Sequence, residues 1–250
     1  MLFYKPKGAA AEYAKWALNM YNGCAHNCRY CYGRMYATME EFFSGSQPKS
    51  EYINNLIKEA PRMKSEIGDE EVLLTFQGDC YQPAEQRLKL TRQSIEILNK
   101  YDYRYTILTK GGMRAVRDFD LLKENPKARF GSTIVFTEQQ DADYYEPNAP
   151  VLKDRWKAVE TAHSMGIPTW ISLEPVIYPS QVLELIRRYH PIVSHWKIGK
   201  LNHDKKYEDT IDWVGFRNNL INLMDSLGYS DDYYYLKDSL KNYVDEDSEE

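Results

Sequence analysis

The sequence predicts an α/β fold, an incomplete (β/α)6 barrel, from three observations. Six short β-rich runs recur along the chain, each interval between them is long enough for a crossover helix, and no Gly/Ser-rich or Pro-rich linker divides them. In order, the runs are WALNMY (16–21), VLLTFQ (72–77), RYTILTK (104–110), RFGSTIVF (129–136), PTWISLE (168–174) and HWKIGKL (195–201). Parallel strands require such crossovers, and PAEQRLKLTRQSIEILNK (83–100), with Leu88, Ile95 and Leu98 at helical spacing, is the clearest of them. A helix around 210–227 is expected to cover one edge or end of the barrel. Residues 1–229 then form one partial-barrel domain, and 230–250 an acidic, Tyr-rich tail expected to be partly mobile.

Composition sets the class. With 43% hydrophobic and 28% charged residues, 13 Gly and 11 Pro, the chain matches an ordinary globular protein and excludes wholesale disorder. It contains no apolar run of about 18 residues, and MLFYKPKGAA lacks the apolar core of a signal peptide, so the expected location is cytoplasmic with no membrane partner. The net charge of −5 misleads as an average, because residues 230–250 carry eight acidic and two basic side chains, a net of −6 that leaves +1 for the body. A basic groove for nucleic acid is not excluded.

Three of the four cysteines fall in GCAHNCRYCY (23–32), directly after the first predicted strand. Four cysteines are too few for a disulfide framework, so the cluster points to metal or chemistry. Cys24, Cys28 and Cys31 form a C-x3-C-x2-C pattern. A structural zinc site wants two close pairs of ligands, although His26 or Cys80 would complete such a site in principle. A short loop with three thiolates suits a four-iron cube better, with the fourth iron left open.

In these residues the chain resembles the radical S-adenosylmethionine (SAM) superfamily, whose signature C-x3-C-x-aromatic-C is present as Cys24, Cys28, Tyr30 and Cys31. The resemblance implies a TIM-like partial barrel of the radical SAM type, a 4Fe-4S cluster held by Cys24, Cys28 and Cys31, and SAM bound at the open iron. It further implies reductive cleavage of SAM to a 5′-deoxyadenosyl radical that takes hydrogen from a substrate, with a flavodoxin or ferredoxin as reducing partner. Tyr30 is expected near the adenine, and Gln77, Gly78 and Asp79 stand where the superfamily has a Gly-Gly-Glu-like segment for the methionyl amine. Thr109 and Lys110, Ser132 and Thr133 for the ribose hydroxyls, Glu174 and Lys197 are the further cofactor-binding candidates at strand ends.

A narrower likeness covers most of residues 10–200. YNGCAHNCRYCY, DCYQPAE, ILTKGG, EPNAP with Arg155, and SLEPVIYP together look like the spore photoproduct lyase-like, or DNA repair photolyase-like, branch. The branch implies a lyase-like or base-modifying activity on a nucleic-acid base or lesion, while a small metabolite stays open. Where typical members read DPYQP, this chain has Cys80. Cys80 and Tyr81 are the catalytic candidates implied, a thiol that returns a hydrogen atom and a phenol that relays it; Cys80 as a small buried hydrophobe is the competing reading. Glu146 and Arg155 are expected to form a structural ion pair, and Arg187, Arg188, Lys200, Lys205 and Lys206 a solvated surface. Two alternatives stand: a non-enzymatic iron–sulfur or zinc protein with Cys80 as fourth ligand, and a redox-sensing nucleic-acid-binding module.

Overall fold

The structure, a computed structural model, describes residues 1–35, 42–43, 47–202 and 204–244. Its centre is a sheet of seven parallel strands in chain order: β1 (Trp16–Leu18), β2 (Val72–Leu74), β3 (Tyr105–Thr109), β4 (Ala128–Thr133), β5 (Thr169–Val176), β6 (His195–Lys200) and β7 (Tyr234–Leu236). The sheet curls into a partial barrel. Six of the strands fall on the six β-rich runs: β1, β2, β3 and β6 lie within them, β4 starts one residue earlier and β5 runs on to Val176.

Because side chains alternate across a strand, the curled sheet has two apolar faces. Outward residues such as Leu18, Leu74, Ile107, Phe130, Leu173 and Ile198 join the larger core beneath the crossover helices. Inward, Ala17, Leu73 and Trp170 pack with Ala14, Tyr4, Tyr13, Phe76 and Leu108 in a smaller second core. The Trp170 indole fills the barrel bottom and donates to Thr106 Oγ1 at 2.7 Å. It lies so close to Gly131 that a Cβ there would collide with the ring.

The expected helix at 83–100 is divided into Glu85–Leu88 and Leu90–Lys100 by Lys89, whose φ of 52° interrupts the helical path. The helix expected around 210–227 spans Trp213–Ser226, started by the Asp212 side chain accepting from Gly215 N at 2.7 Å.

The acidic segment contains more order than its charge suggests. Tyr234–Leu236 is β7, paired in parallel with β6, and a short helix Asp238–Lys241 follows. Tyr234 and Leu236 are buried while Tyr235 turns inward against Lys197, an alternation hidden in the sequence by the surrounding aspartates. Residues 245–250 of the expected tail lie outside the described residues.

Candidate active site

At the C-terminal ends of the strands the barrel opens into a cavity of about 870 Å³. The cysteine loop, the segment after β2, the ends of β3, β4 and β5, the segments after β6 and β7, and the N-terminal segment all contribute to its lining.

The cysteine loop leaves β1 through Asn19, whose Oδ1 accepts from Phe76 N and Gln77 N at 3.0 Å each while its Nδ2 donates to Tyr4 Oη at 2.8 Å. That one amide ties the loop to the segment after β2. Two further segments grip it from the sides. Gln82 Oε1 accepts from Ala25 N at 2.9 Å. Asn148 donates from its backbone N to His26 O at 3.2 Å and from Nδ2 to Ala25 O at 3.1 Å, and Arg29 N donates to Tyr145 O at 2.7 Å. Gly78, with φ of 77°, lies so close that a Cβ there would come within 2.5 Å of Gly23 O. DCYQPAE and EPNAP thus act as clamps that shape the cysteine loop.

Cys24, Cys28 and Cys31 all line the cavity, and none is disulfide-bonded. Burial pushes the Cys24 thiol well up and the Cys28 thiol to about 12, so a bound metal would have to displace their protons. Among the described residues no three histidine, cysteine or carboxylate side chains converge where one ion would sit. A single zinc ion does not suit such an arrangement, whereas a cluster that takes one thiolate per iron does. The cysteines therefore fit a polynuclear iron–sulfur group.

Tyr30 packs between the cysteines and a buried charge pair. Its hydroxyl donates to Glu146, which also accepts from Arg155, and the Lys110 ammonium sits 5.4 Å from the ring centre. Glu146 and Arg155 are the expected ion pair, both buried, with Arg155 Nε also donating to Pro150 O at 2.7 Å.

Asp79 lines the cavity but is heavily engaged by the protein. Its Oδ1 accepts from Thr109 Oγ1 and from Tyr81 N at 2.8 Å, and its Oδ2 from Lys110 N at 2.6 Å. Burial opposes its charge, yet His26 and these donors hold the carboxyl below the usual carboxylate range. Burial, with the cations Lys110, Arg114 and Arg155, lowers His26 to about 4; with His26 neutral above that, the three hydrogen bonds keep Asp79 ionised.

The far wall centres on Glu174. Its Oε1 accepts from Lys237 Nζ at 2.8 Å and its Oε2 from the Tyr13 hydroxyl, which also contacts Ser172 Oγ at 2.9 Å. Burial first, and then Glu174, raise the Tyr13 phenol well above its ordinary value, keeping it neutral. Gly199 leaves room for the pair, since a Cβ there would lie 2.9 Å from both Glu174 Cδ and Lys237 Cδ.

Of the sequence candidates, Cys24, Cys28, Tyr30, Cys31, Gln77, Gly78, Asp79, Thr109, Lys110, Thr133 and Glu174 meet at this cavity. Ser132 and Lys197 do not line it. Ser132 Oγ donates to Thr109 O at 2.9 Å, and Lys197 Nζ donates to Glu12 O and Tyr13 O at 3.0 and 2.7 Å, fastening the N-terminal segment across the barrel.

Cys80 and Tyr81 do not line the cavity. Both are buried in the larger core, away from the cavity. Cys80 Sγ faces Leu74 O at 3.6 Å and Leu108 O at 3.7 Å, between β2 and β3, where burial pushes the thiol well up. The chain turns back at Asp79, whose side chain caps Tyr81 N, so the two residues after it plunge inward. Cys80 is thus packed as a small side chain within the larger core.

Tyr13, Asn19, Ser172 and Lys237 were not among the sequence candidates. Ser172 was within reach, since it lies two residues before Glu174 on the same strand face. Tyr13 and Lys237 gave no signal, because each reaches Glu174 from an end of the chain.

A family model described as the Radical SAM superfamily matches residues 18–189. An uncharacterized protein of Methanocaldococcus jannaschii is 30% identical over 166 residues, covering 66% of this chain and 61% of that one. An uncharacterized protein of Acidianus two-tailed virus is 25% identical over 185 residues, covering 69% and 59%. The chain thus spans about 60% of the length of these relatives. Among solved structures, spore photoproduct lyase complexed with dinucleoside spore photoproduct superposes with a TM-score of 0.70 at 15% identity, covering 94% of this chain and 79% of that one. Streptococcus suis SuiB bound to S-adenosylmethionine gives 0.65 at 10% identity, covering 88% and 46%. At such identities the likeness is one of fold.

Proposed function

The chain belongs to the radical SAM superfamily, and on that premise we propose that it binds a 4Fe-4S cluster through Cys24, Cys28 and Cys31 and cleaves SAM reductively, acting on a nucleic-acid base or lesion. The observation that carries the reading is that three thiols from one clamped loop open into the same cavity as the polar ends of β2 to β5. When bound, the cluster and SAM together supply a reducing electron and a carbon radical able to take hydrogen from an unactivated position.

This chain's residues hold and orient. Asn19, Gln82 and Asn148 fix the cysteine loop; Tyr30, braced by Glu146 and Arg155, offers a ring face to the adenine; and Lys110 is placed for the methionyl carboxylate. Gln77 and Gly78 present the segment after β2 to the methionyl amine, with Asp79 supporting that segment through its own three hydrogen bonds. Thr133 and Glu174 are the ribose-side candidates. The aromatic lining of Tyr4, Tyr13 and Phe76 suits a planar base, and the similarity in fold to spore photoproduct lyase favours a nucleic-acid substrate. A ferredoxin or flavodoxin is the proposed electron source. No helix among the described residues is long and apolar enough to cross a membrane.

The test is anaerobic reconstitution with iron and sulfide, then dithionite and SAM, following 5′-deoxyadenosine by chromatography. Formation of 5′-deoxyadenosine, lost in Cys28→Ala, is the expected result. A fully loaded cluster that never cleaves SAM, with or without candidate oligonucleotides, overturns the proposal.

A further inference from the structure

Among the described residues, the charges around the cavity do not cancel. The two described carboxylates on the lining are already engaged by the protein: Asp79 accepts from three donors, and Glu174 from Lys237 and Tyr13. Its lysines divide differently. Lys237 pairs with Glu174, and Lys200 pairs with Glu208 at 2.8 Å. Among the described residues, neither Lys110 nor Lys49 has an acceptor within hydrogen-bond distance of its Nζ, but Lys110 has the carboxylates of Glu146 and Asp79 nearby, whereas Lys49 has none. Partial burial depresses the pKa of Lys49, and no charge among the described residues opposes it. An ammonium drawn out of water without a counter-ion costs stability, a cost that an anionic ligand removes.

These two lysines stand on different parts of the lining. Lys110 is beside Tyr30 and the cysteines, whereas Lys49 follows the short strand Gln47–Pro48 and its backbone N is tied to Met20 O. Lys7, exposed and also on the lining, adds a third ammonium. SAM brings one carboxylate, which Lys110 receives under the reading above. Lys49 is then left without a counterpart.

Resting on that reading, we infer that the second substrate carries a phosphate group, and that Lys49, assisted by Lys7, is the subsite that receives it. Lysine ammoniums bind phosphate as point charges, and two of them on one lining match an anion of more than one charge. Lys49 lies inside the matched span 18–189, and Lys7 precedes it.

The test is calorimetric titration of the full-length chain, without iron, sulfide or SAM, with inorganic pyrophosphate and separately with succinate, at ionic strength held constant with chloride. Wild type is expected to bind pyrophosphate more tightly than succinate. Lys49→Met should lose about tenfold in affinity, the size of one charge-assisted hydrogen bond, while Lys49→Arg keeps most of it. Lys153→Met, on an exposed helix face, should match wild type. Circular dichroism of each variant establishes that it is folded. No binding by wild type, a preference for succinate, unchanged affinity in Lys49→Met, or loss in Lys110→Met alone each overturns the inference. Because cluster and SAM are absent, these outcomes are independent of whether 5′-deoxyadenosine forms in the earlier assay.

Discussion

Glu174 and Lys237 meet on the cavity wall, 2.8 Å apart, although 63 positions separate them in the chain. One comes from the fifth strand and the other from just after the seventh, so their contact fixes the last strand against the barrel interior. Lys237 is buried and Glu174 nearly so.

Removing one partner of this pair strands the other's charge. Lys237→Met is expected to destabilise the fold by about 3 kcal/mol, the lower end for a broken buried pair. The double variant Glu174→Gln/Lys237→Met should recover much of that loss. Thermal unfolding of wild type, single and double variants measures both, and a double variant no better than the single one would refute the pairing energy.

The four cysteines are expected to separate into two classes. Alanine at 24, 28 or 31 should abolish iron loading, read as the loss of the iron–sulfur absorption after reconstitution. Cys80→Ala should load iron normally and cost about 1 kcal/mol of stability from the small cavity left in the core. Iron loading lost in Cys80→Ala would restore the four-ligand reading.

Gly78→Ala places a methyl group against Gly23 O at a positive φ. The expected cost is about 1–3 kcal/mol from overpacking and backbone strain, accompanied by weaker iron loading because the displaced neighbour is the cysteine loop itself. Gly228→Ala also has a positive φ, but nothing lies within 4 Å of its Cβ, so it should cost stability without touching iron loading.

Lys197 gives a pH signature. Burial lowers its pKa from 10.5 to about 8 in the folded chain, so between these values the unfolded chain binds the extra proton and stability rises with pH. Below about 8 both states are protonated and the gain is absent. The stability of wild type minus that of Lys197→Met should therefore increase from pH 8 to pH 10, measured by urea unfolding. A flat difference would show that the ammonium is not desolvated.

The barrel was legible because its strands are short runs of β-branched and aromatic residues separated by helical spacing, and because strand ends point to one mouth. Cys24, Cys28, Cys31, Thr109 and Glu174 reach the cavity for that local reason. The burial of Cys80 was not legible, because its neighbourhood in sequence is a strand end while the turn at Asp79 sends it inward. Tyr13 and Lys237 were illegible for the opposite reason: nothing near either residue marks it, and only the closing of the sheet brings them 161 and 63 positions back to Glu174. β7 was masked by charge density, since the aspartates beside it outweigh a three-residue alternation.

That the wall opposite the cysteines is finished by Lys237 has a consequence for synthesis. The three thiols leave the ribosome about 200 residues before the lysine does, which at ordinary elongation rates is roughly 10–40 s. Throughout that interval the nascent chain lacks the last strand and the lysine that completes the Glu174 wall. Iron delivered during translation would meet an open trough, and iron delivered afterwards must enter through the cavity mouth.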